Sequence, residues 1–94
     1  MEFVWDDHKA ALNEAKHGVT FAEAEGVFLD DQAVLFPDDE HSFNELRYII
    51  IGASGRRLLV VVYTEEPDEN GGEIIRLISA REVEAYERAM YYEG

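Results

Sequence analysis

The sequence of 94 residues contains no cysteine, only two prolines and no long apolar run. The absence of cysteine excludes a disulfide scaffold, a thiolate zinc site and a cysteine nucleophile. The longest purely aliphatic run, residues 58–62, is far shorter than the ~20 residues that span a bilayer. The first residues lack the basic flank and the apolar stretch of a signal peptide. We therefore expect a soluble, cytoplasmic chain that makes no membrane contact.

Positive charge is also scarce, and the net charge is −13. Residues 1–45 carry 2 basic and 12 acidic residues, whereas residues 46–94 carry 6 basic and 9 acidic residues. Such a chain repels a phosphate backbone at long range and attracts a basic partner. Apolar residues still form 47% of the chain, enough for a modest core. We therefore expect one folded domain over residues 1–94 and not a disordered chain.

Signals for the starts and ends of helices divide the chain into elements. Asp6 or Asp7 can cap a first helix that Gly18 ends. Thr20 with Glu23 fits the capping box of a second helix, which residues 30–31 end. Residues 79–82 fit another capping box, which predicts a last helix over residues 81–92. The predicted strands are residues 3–5, 33–36, 47–53, 57–64 and 73–79.

The order of these elements indicates the fold class. The strands from residue 33 onward follow one another through short connections, which favour antiparallel pairing between neighbours. Two helices precede this run of strands and one follows it. The sequence therefore predicts an α+β fold, an antiparallel meander packed with two N-terminal helices and one C-terminal helix.

Three arginines are the first candidates for a functional site. In the last predicted strand Arg76 shares a face with Ile74 and Ile78, and the other face carries Ile75, Leu77 and Ser79. A charged side chain flanked by apolar residues needs a carboxylate partner or a ligand. An ion pair with one of the many acids is one interpretation, and a phosphate contact through the planar guanidinium is the other. Arg47 begins a neighbouring strand. Arg81 lies in the predicted first turn of the last helix, where the helix dipole favours an acid instead.

Residues near the end of the first helix are the second group of candidates. A structural role is sufficient to explain Lys16 and His17 there, because the helix dipole favours positive charge in the last turn. A histidine can also transfer protons near neutral pH. Lys9 lies seven residues before Lys16 and shares its side of the helix, so the two lysines form either a phosphate contact or a solvated face.

Other kinds of site find little support in the sequence. The spacings between His8, His17 and His41 match no compact set of metal ligands, and we expect no metal and no cofactor. There is no phosphate-binding loop or dinucleotide fingerprint. Tyr63 is a tyrosine that could reach a site on the sheet face.

Motifs over nearly the whole chain resemble the BrnT family. In the first half these are residues 3–6, Lys9, Asn13, residues 16–21, residues 23–24, residues 27–28 and Asp30. In the second half they are Arg47, residues 51–52, residues 59–64, residues 75–81, residues 87–88 and Tyr91. Residues 16–21 and 75–81 together, at this separation, are quite specific.

The resemblance implies a toxin of a type II toxin–antitoxin pair. BrnT proteins are small ribonucleases with a RelE-like fold, a curved antiparallel sheet with helices packed against it. Their antitoxin, BrnA, carries a ribbon-helix-helix DNA-binding region, so any contact with DNA would come through the antitoxin. The resemblance therefore implies an RNA substrate, a BrnA-like partner in a hetero-oligomer and repression of the pair's own operon.

RNA cleavage without a metal needs a base, a cation and an acid around the phosphate. By analogy, Arg76 and Arg47 would be the phosphate-binding cations, with Arg81 in support. His17 and Lys16 would transfer protons or contact the phosphate. Lys9, Glu45 and Tyr63 are weaker candidates.

The acidity of the chain departs from what an RNA-cleaving enzyme favours. Three explanations are open: a halophilic source in which salt screens the charge, an acidic patch for a basic antitoxin, or lost catalysis with retained partner binding. All the motif arginines are present, which favours the first two. The alternative function is a catalytically weak binding module that acts as partner and co-repressor of the antitoxin.

Overall fold

A computed structural model describes residues 1–42 and 44–93. Its elements in chain order are β1 (Glu2–Val4), α1 (Asp7–His17), α2 (Phe21–Ala24), a 3₁₀ turn (Glu25–Leu29), β2 (Val34–Pro37), a 3₁₀ turn (Asp39–His41), β3 (Tyr48–Ser54), β4 (Arg57–Pro67), β5 (Glu73–Glu82) and α3 (Ala85–Glu93). Within the described residues, five strands form one sheet in the order β1-β5-β4-β3-β2. No helix in this part of the chain is long and apolar enough to cross a membrane.

The α+β class is confirmed, but the prediction of a wholly antiparallel sheet is wrong. Strands β2 to β5 form the predicted antiparallel meander, whereas β1 pairs in parallel with β5. Phe3 packs edge-on against Phe28 at 5.1 Å between ring centroids, and Trp5 packs against Phe21 at 5.9 Å. These contacts hold β1 at the edge of the sheet beside the last strand, a long-range pairing that local sequence signals do not encode.

The first helix begins and ends where the sequence predicts. The carboxylate of Asp6 accepts a hydrogen bond from the backbone N–H of Lys9 at 2.9 Å, as an N-cap residue does. Gly18 adopts φ 69° after the last helical residue, and its N–H donates to the carbonyl of Glu14. Lys16 and His17 therefore lie in the last turn of α1, where positive charge suits the helix dipole.

The second helix is shorter than predicted. The Thr20 hydroxyl caps it by accepting from the N–H of Glu23 at 3.0 Å. The reciprocal half of the capping box is replaced, because the Glu23 carboxylate binds the Arg57 guanidinium instead. After one turn the chain tightens into the 3₁₀ turn, and Phe21, Ala24 and Val27 remain buried on one face.

The boundary between the last strand and the last helix differs from the prediction. Ser79 does not cap a helix, because β5 continues to Glu82 and pairs with β4 throughout. Helix α3 begins at Ala85. The Glu87 carboxylate accepts the Glu84 N–H at 2.8 Å, in the manner of the third residue of a capping box. Arg81 is therefore a strand residue, and the argument from the helix dipole does not apply to it.

The two faces of the sheet have different neighbours. The core face packs against α1, α2 and the following 3₁₀ turn, and it buries Leu59, Val61, Ile75 and Leu77. The opposite face, which we call the second face, is covered in part by α3. Burial of apolar surface drives this packing at roughly 25 cal/mol per Å², so the core face carries most of the stability and the second face is free to carry polar groups.

Candidate functional site

A β-bulge in β5 decides which side chains share the second face. Leu77 pairs with Tyr63 and Ser79 pairs with Val62, which leaves Ile78 as an extra residue without a partner. Simple alternation places Ser79 on the face opposite Arg76, so that part of the sequence argument is wrong. The bulge brings Arg76, Ser79 and Arg81 to the second face, since these residues pair with Thr64, Val62 and Val60 respectively.

Arg76 lies at the end of the sheet where the β4–β5 hairpin extends past β3. Its side chain is 51% exposed, and its closest carboxylate is Glu66, at 3.6 Å. A groove of about 720 Å³ surrounds it, and we call this the Arg76 groove. Glu45, Leu46, Tyr48 and Thr64 line it, along with Glu65, Glu66 and Glu73. Arg76 is thus loosely paired and reachable, but it is surrounded by carboxylates.

Arg47 lies just before β3, and hydrogen bonds of its own backbone fix its position. Its carbonyl accepts the N–H of Asp38 at 2.8 Å, and its own N–H donates to the Ser42 hydroxyl at 3.0 Å. The register of β3 and β4, continued by one residue, places its backbone beside Thr64 and thus two strands from Arg76. Its Nε atom is buried, and no acceptor for that N–H lies among residues 1–42 and 44–93. An orphaned donor of this kind is uncommon in a folded protein.

Arg81 forms the tightest ion pair on the second face. Its Nη1 donates to Glu87 Oε1 at 2.8 Å and its Nη2 donates to Glu87 Oε2 at 2.7 Å, a bidentate contact between β5 and α3. Burial would raise the pKa of Glu87, which is only 7% exposed, but the bonds from Arg81 and from the Glu84 N–H outweigh burial and lower it. The pKa of Arg81 is correspondingly raised, chiefly by the same hydrogen bonds. Arg81 therefore serves as an ion-pair partner that joins β5 to α3.

Beside this ion pair lies a cavity of about 330 Å³ between the second face and α3, which we call the Arg81 cavity. Its apolar wall is formed by Phe36, Ile49, Val60, Val62 and Met90. Its polar lining consists of Asp38, Glu40, His41, Ser79, Arg81, Tyr86 and Glu87. A small apolar pocket with a few convergent polar groups is the usual form of a small-molecule or active site.

A histidine–aspartate pair opens onto this cavity. The Nδ1 atom of His41 lies 3.1 Å from both carboxylate oxygens of Asp38. The side chain of Asp38 is 11% exposed and that of His41 is 60% exposed. The Ser42 hydroxyl donates to the Asp38 carbonyl at 2.7 Å and fixes the same turn. The carboxylate is thus buried while the imidazole can reach solvent.

Lys9, Lys16 and His17 come together in a shallow groove of about 250 Å³ along α1, which we call the α1 groove. Ile78 and Ser79 of β5 form its other wall, so the α1 groove and the Arg81 cavity meet at Ser79. Lys9 and Lys16 are exposed, and His17 is half-buried. The α1 groove is lined by basic groups without an acidic residue, unlike the Arg76 groove.

Asn13 joins α1 to the open edge of β5. Its side-chain amide donates to the carbonyls of Ala80, at 2.8 Å, and Val19, at 3.0 Å, and its Oδ1 accepts the Ala80 N–H at 3.1 Å. One buried side chain therefore satisfies both backbone groups of Ala80, which the short strand β1 does not reach, and the carbonyl of Val19. This bond network fixes the α1 groove against β5.

The predicted residues thus fall into three separate places. Arg76 and Glu45 share the Arg76 groove, Arg81 lines the Arg81 cavity, and Lys9, Lys16 and His17 share the α1 groove. Arg47 lines none of these three.

Tyr63 points to the core face and is 4% exposed. Its ring stacks there on Tyr48, with 5.6 Å between the ring centroids. Burial, with the charge of Glu65, raises the pKa of Tyr63 to about 12.

Sequence reasoning missed the roles of Asp38, His41 and Glu87. The signal for Glu87 was available, because it lies three residues after Glu84 at the start of a helix, but the capping box was placed too early. His41 was considered only as a metal ligand. Among residues 1–42 and 44–93, no three histidine or acidic side chains are placed to share a metal ion.

Comparison with known proteins identifies one family. Residues 5–87 match the family model described as the ribonuclease toxin BrnT of type II toxin–antitoxin systems. The match includes α1, the whole meander and the first turn of α3. A comparison with curated proteins gave no match.

Proposed function

The chain belongs to the BrnT family of ribonuclease toxins of type II toxin–antitoxin systems, and we propose that it cleaves RNA by transesterification without a metal ion. The family match over residues 5–87 is the observation that carries this proposal, because it defines the class of reaction. The α+β architecture agrees with a RelE-like fold, which we propose for it. We also propose that it acts in the cytoplasm.

The reachable cations support phosphate binding. Arg76 is half-exposed and its nearest carboxylate is 3.6 Å away, so a phosphate can compete with Glu66 at little cost. Arg47 is half-buried and forms no ion pair with a carboxylate among the described residues, so its guanidinium can serve as a second cation beside the sheet. We propose these two as the phosphate contacts, with Arg81 in support.

The α1 groove supplies further basic groups. Lys9, Lys16 and His17 line one surface, so an RNA strand that crosses the sheet edge at Ser79 would pass beside them. We propose that Lys16 and His17 contact the phosphate backbone there or transfer protons, and that Lys9 assists. Glu45 shares the groove of Arg76 and remains a weaker candidate for proton transfer. Tyr63 is left out of the proposed site because it is buried on the core face.

Membership in a type II toxin–antitoxin family implies an antitoxin partner. We propose that this partner is of the BrnA type, with a ribbon-helix-helix region, and that it forms a hetero-oligomer with the chain. The net charge of −13 favours a basic partner surface and disfavours direct contact with DNA. DNA would then be bound only through the antitoxin.

A second candidate is favoured by the state of the arginines. Arg81 is bound by Glu87 and carboxylates surround Arg76, as expected of a chain that retains partner binding while catalysis is weak. In this alternative the chain is mainly a co-repressor of its antitoxin. Cleavage of RNA by the isolated chain separates the two candidates.

The test is tightly induced expression of the chain in a bacterium, with growth and total RNA followed after induction. The wild type is compared with an Arg47→Ala/Arg76→Ala double variant. An Arg56→Ala/Arg88→Ala double variant is the matched control, because it removes two exposed arginines outside the three surfaces. We expect growth arrest and RNA loss for the wild type and the control, and normal growth for the Arg47/Arg76 variant at equal soluble amounts.

The purified chain is assayed on single-stranded RNA with excess chelator to test metal independence. Cleavage at an undiminished rate supports the proposal, whereas loss of cleavage that a divalent cation restores contradicts it. Normal growth with a soluble wild type, together with no cleavage by the purified chain, favours the co-repressor.

A further inference from the structure

We propose that His41, held by Asp38, is the general base that takes the 2′-hydroxyl proton of the RNA, in the Arg81 cavity. This inference rests on the proposed ribonuclease function and gives the base a position that the sequence did not indicate. It also gives Arg81 a definite task, which is to hold the scissile phosphate beside that base, while Arg47 and Arg76 bind other phosphates of the same RNA strand.

The geometry of His41 suits a base. Because Nδ1 lies 3.1 Å from both oxygens of Asp38, a neutral imidazole donates its Nδ1–H to the carboxylate and leaves the Nε2 lone pair free. The carboxylate also stabilises the imidazolium that forms when Nε2 accepts a proton. Since Asp38 is largely buried and His41 is exposed, the orienting group is fixed and the reactive nitrogen is open to substrate.

Arg81 retains donors for a phosphate in spite of its ion pair. Glu87 occupies one N–H of Nη1 and one of Nη2, and the second Nη1–H donates to the carbonyl of Glu82 at 3.1 Å. The Nε–H and the remaining Nη2–H have no partner within residues 1–42 and 44–93. These two N–H groups form a second planar fork, which matches two oxygens of a phosphate. Glu87 thus orients this fork instead of blocking it.

His17 lacks this arrangement. It ends α1 beside Lys16, and no carboxylate forms an ion pair with it in the part of the chain that the structure describes. A base needs a partner that fixes its tautomer and receives the positive charge, and only His41 of these two histidines has one. The α1 groove is therefore assigned to binding of the RNA backbone.

The cavity fits a nucleotide at its reactive centre. His41 and Arg81 line the same cavity with Ser79, and the apolar wall offers a surface for a base or sugar. The charged and titratable groups that face His41 are Asp38, Glu40, Arg81, Tyr86 and Glu87, drawn from the 38–41 turn, β5 and α3.

The reaction follows from these positions. The 2′-oxygen attacks the adjacent phosphorus as its proton passes to Nε2 of His41, and the bond between phosphorus and the 5′-oxygen breaks. The leaving 5′-oxygen takes a proton from water, and the imidazolium returns its proton to the resulting hydroxide. The products are a 2′,3′-cyclic phosphate and a 5′-hydroxyl, and Arg81 stabilises the charge on the phosphate oxygens throughout.

The test uses the full chain and a short single-stranded RNA, with single-turnover rates and product ends determined. We expect His41→Ala to lower the cleavage rate by ~100-fold or more, the usual contribution of general base catalysis. Added imidazole restores part of the rate, since it supplies the missing base. His8→Ala is the matched control, because His8 is exposed in the first turn of α1 and should leave the rate unchanged.

Asp38 is tested as a positioning residue. Asp38→Asn should lower kcat and leave KM nearly unchanged, because the amide no longer fixes the tautomer or stabilises the imidazolium. Thermal unfolding of each variant is measured in parallel. A rise in KM with kcat unchanged contradicts the role of Asp38. A loss of rate that is fully explained by unfolding of the variant contradicts it as well.

The outcomes separate this inference from the function on which it rests. If the wild type cleaves RNA and His41→Ala cleaves it equally fast, the ribonuclease stands and His41 is not the base. If a folded His41→Ala variant is slow but imidazole gives no rescue at any concentration, proton transfer by His41 is also contradicted. If the wild type does not cleave RNA, the proposed function fails and this inference fails with it.

Discussion

The two faces of the sheet differ in composition and burial, although the same strands supply the residues of both. On the core face, Leu59, Val61 and Leu77 are almost fully buried beneath α1 and α2. On the second face, the neighbouring positions carry Thr64, Arg76 and Arg81, and α3 covers only part of them. Strand alternation thus separates the residues that stabilise the fold from those proposed for the chemistry, and the bulge at Ile78 brings the charged groups to one side.

The largest expected effect is on the core face. Phe21→Ala should lower the free energy of unfolding by ~3–5 kcal/mol, because it leaves a cavity at a fully packed site. The matched variant is Phe36→Ala, which removes the same ring from the half-buried wall of the Arg81 cavity. We expect less than about half that loss, since the site is already open. Equal losses, measured by chemical denaturation, would contradict the division between the faces.

The next effect tests the junction between α1 and β5. Asn13→Ala should cost about 3 kcal/mol, because it leaves the backbone groups of Ala80 and Val19 buried without partners. Asn70→Ala is the control, since Asn70 lies exposed in the β4–β5 turn, and its effect should be within about 0.5 kcal/mol. Denaturant midpoints of the two variants give the answer, and similar midpoints would exclude this role for Asn13.

A smaller effect, dependent on pH, is expected from the ion pair on the second face. Glu87→Gln should cost about 1–3 kcal/mol at neutral pH, because Arg81 and the Glu84 N–H lose a charged acceptor. The folded pKa of Glu87 lies below its ordinary value of 4.5, so its contribution is complete above 4.5. That contribution is lost as the pH falls through the folded pKa.

The difference between wild type and Glu87→Gln should therefore shrink in acid. Glu84→Gln is the control, because Glu84 is exposed on the same helix start and should show no such pH dependence. Thermal unfolding across the acidic range measures both. A difference that stays constant with pH would mean that the carboxylate charge contributes nothing to stability.

The smallest effect is expected at Arg76. Glu66→Gln should change the free energy of unfolding by less than about 0.5 kcal/mol, because both side chains are more than half exposed and the pair is long. A larger loss, seen in denaturant unfolding, would make Arg76 a structural residue and weaken its assignment to phosphate binding.

Local signals were sufficient to predict part of this fold. The cap at Asp6 and the left-handed Gly18 define α1 within a residue, because both act through neighbours in sequence. The parallel pairing of β1 with β5 was not predictable in this way, since it depends on contacts such as Phe3 with Phe28 across the fold. The extension of β5 to Glu82 was unpredictable for the same reason, because pairing with β4 overrides a local helix signal.

The candidate site was predictable only as separate residues. Arg76 stood out because a charge in an apolar strand needs a partner, and Arg81 stood out because the predicted first turn of a helix favours an acid. The bulge that puts both on one face arises from pairing between strands. The partners of His41 and Arg81 could not be read from spacing. Asp38 is three residues from His41 and Glu87 six residues from Arg81, and many other acids lie as near in sequence.

Metal-independent RNA cleavage is tested most simply by assay of the purified chain on single-stranded RNA, with chelator present and from low to molar salt. We expect cleavage that leaves 2′,3′-cyclic phosphate and 5′-hydroxyl ends, and no cleavage when the 2′-hydroxyl at the scissile position is replaced by hydrogen. Intact RNA at every salt concentration, from a chain shown to be folded, would contradict it.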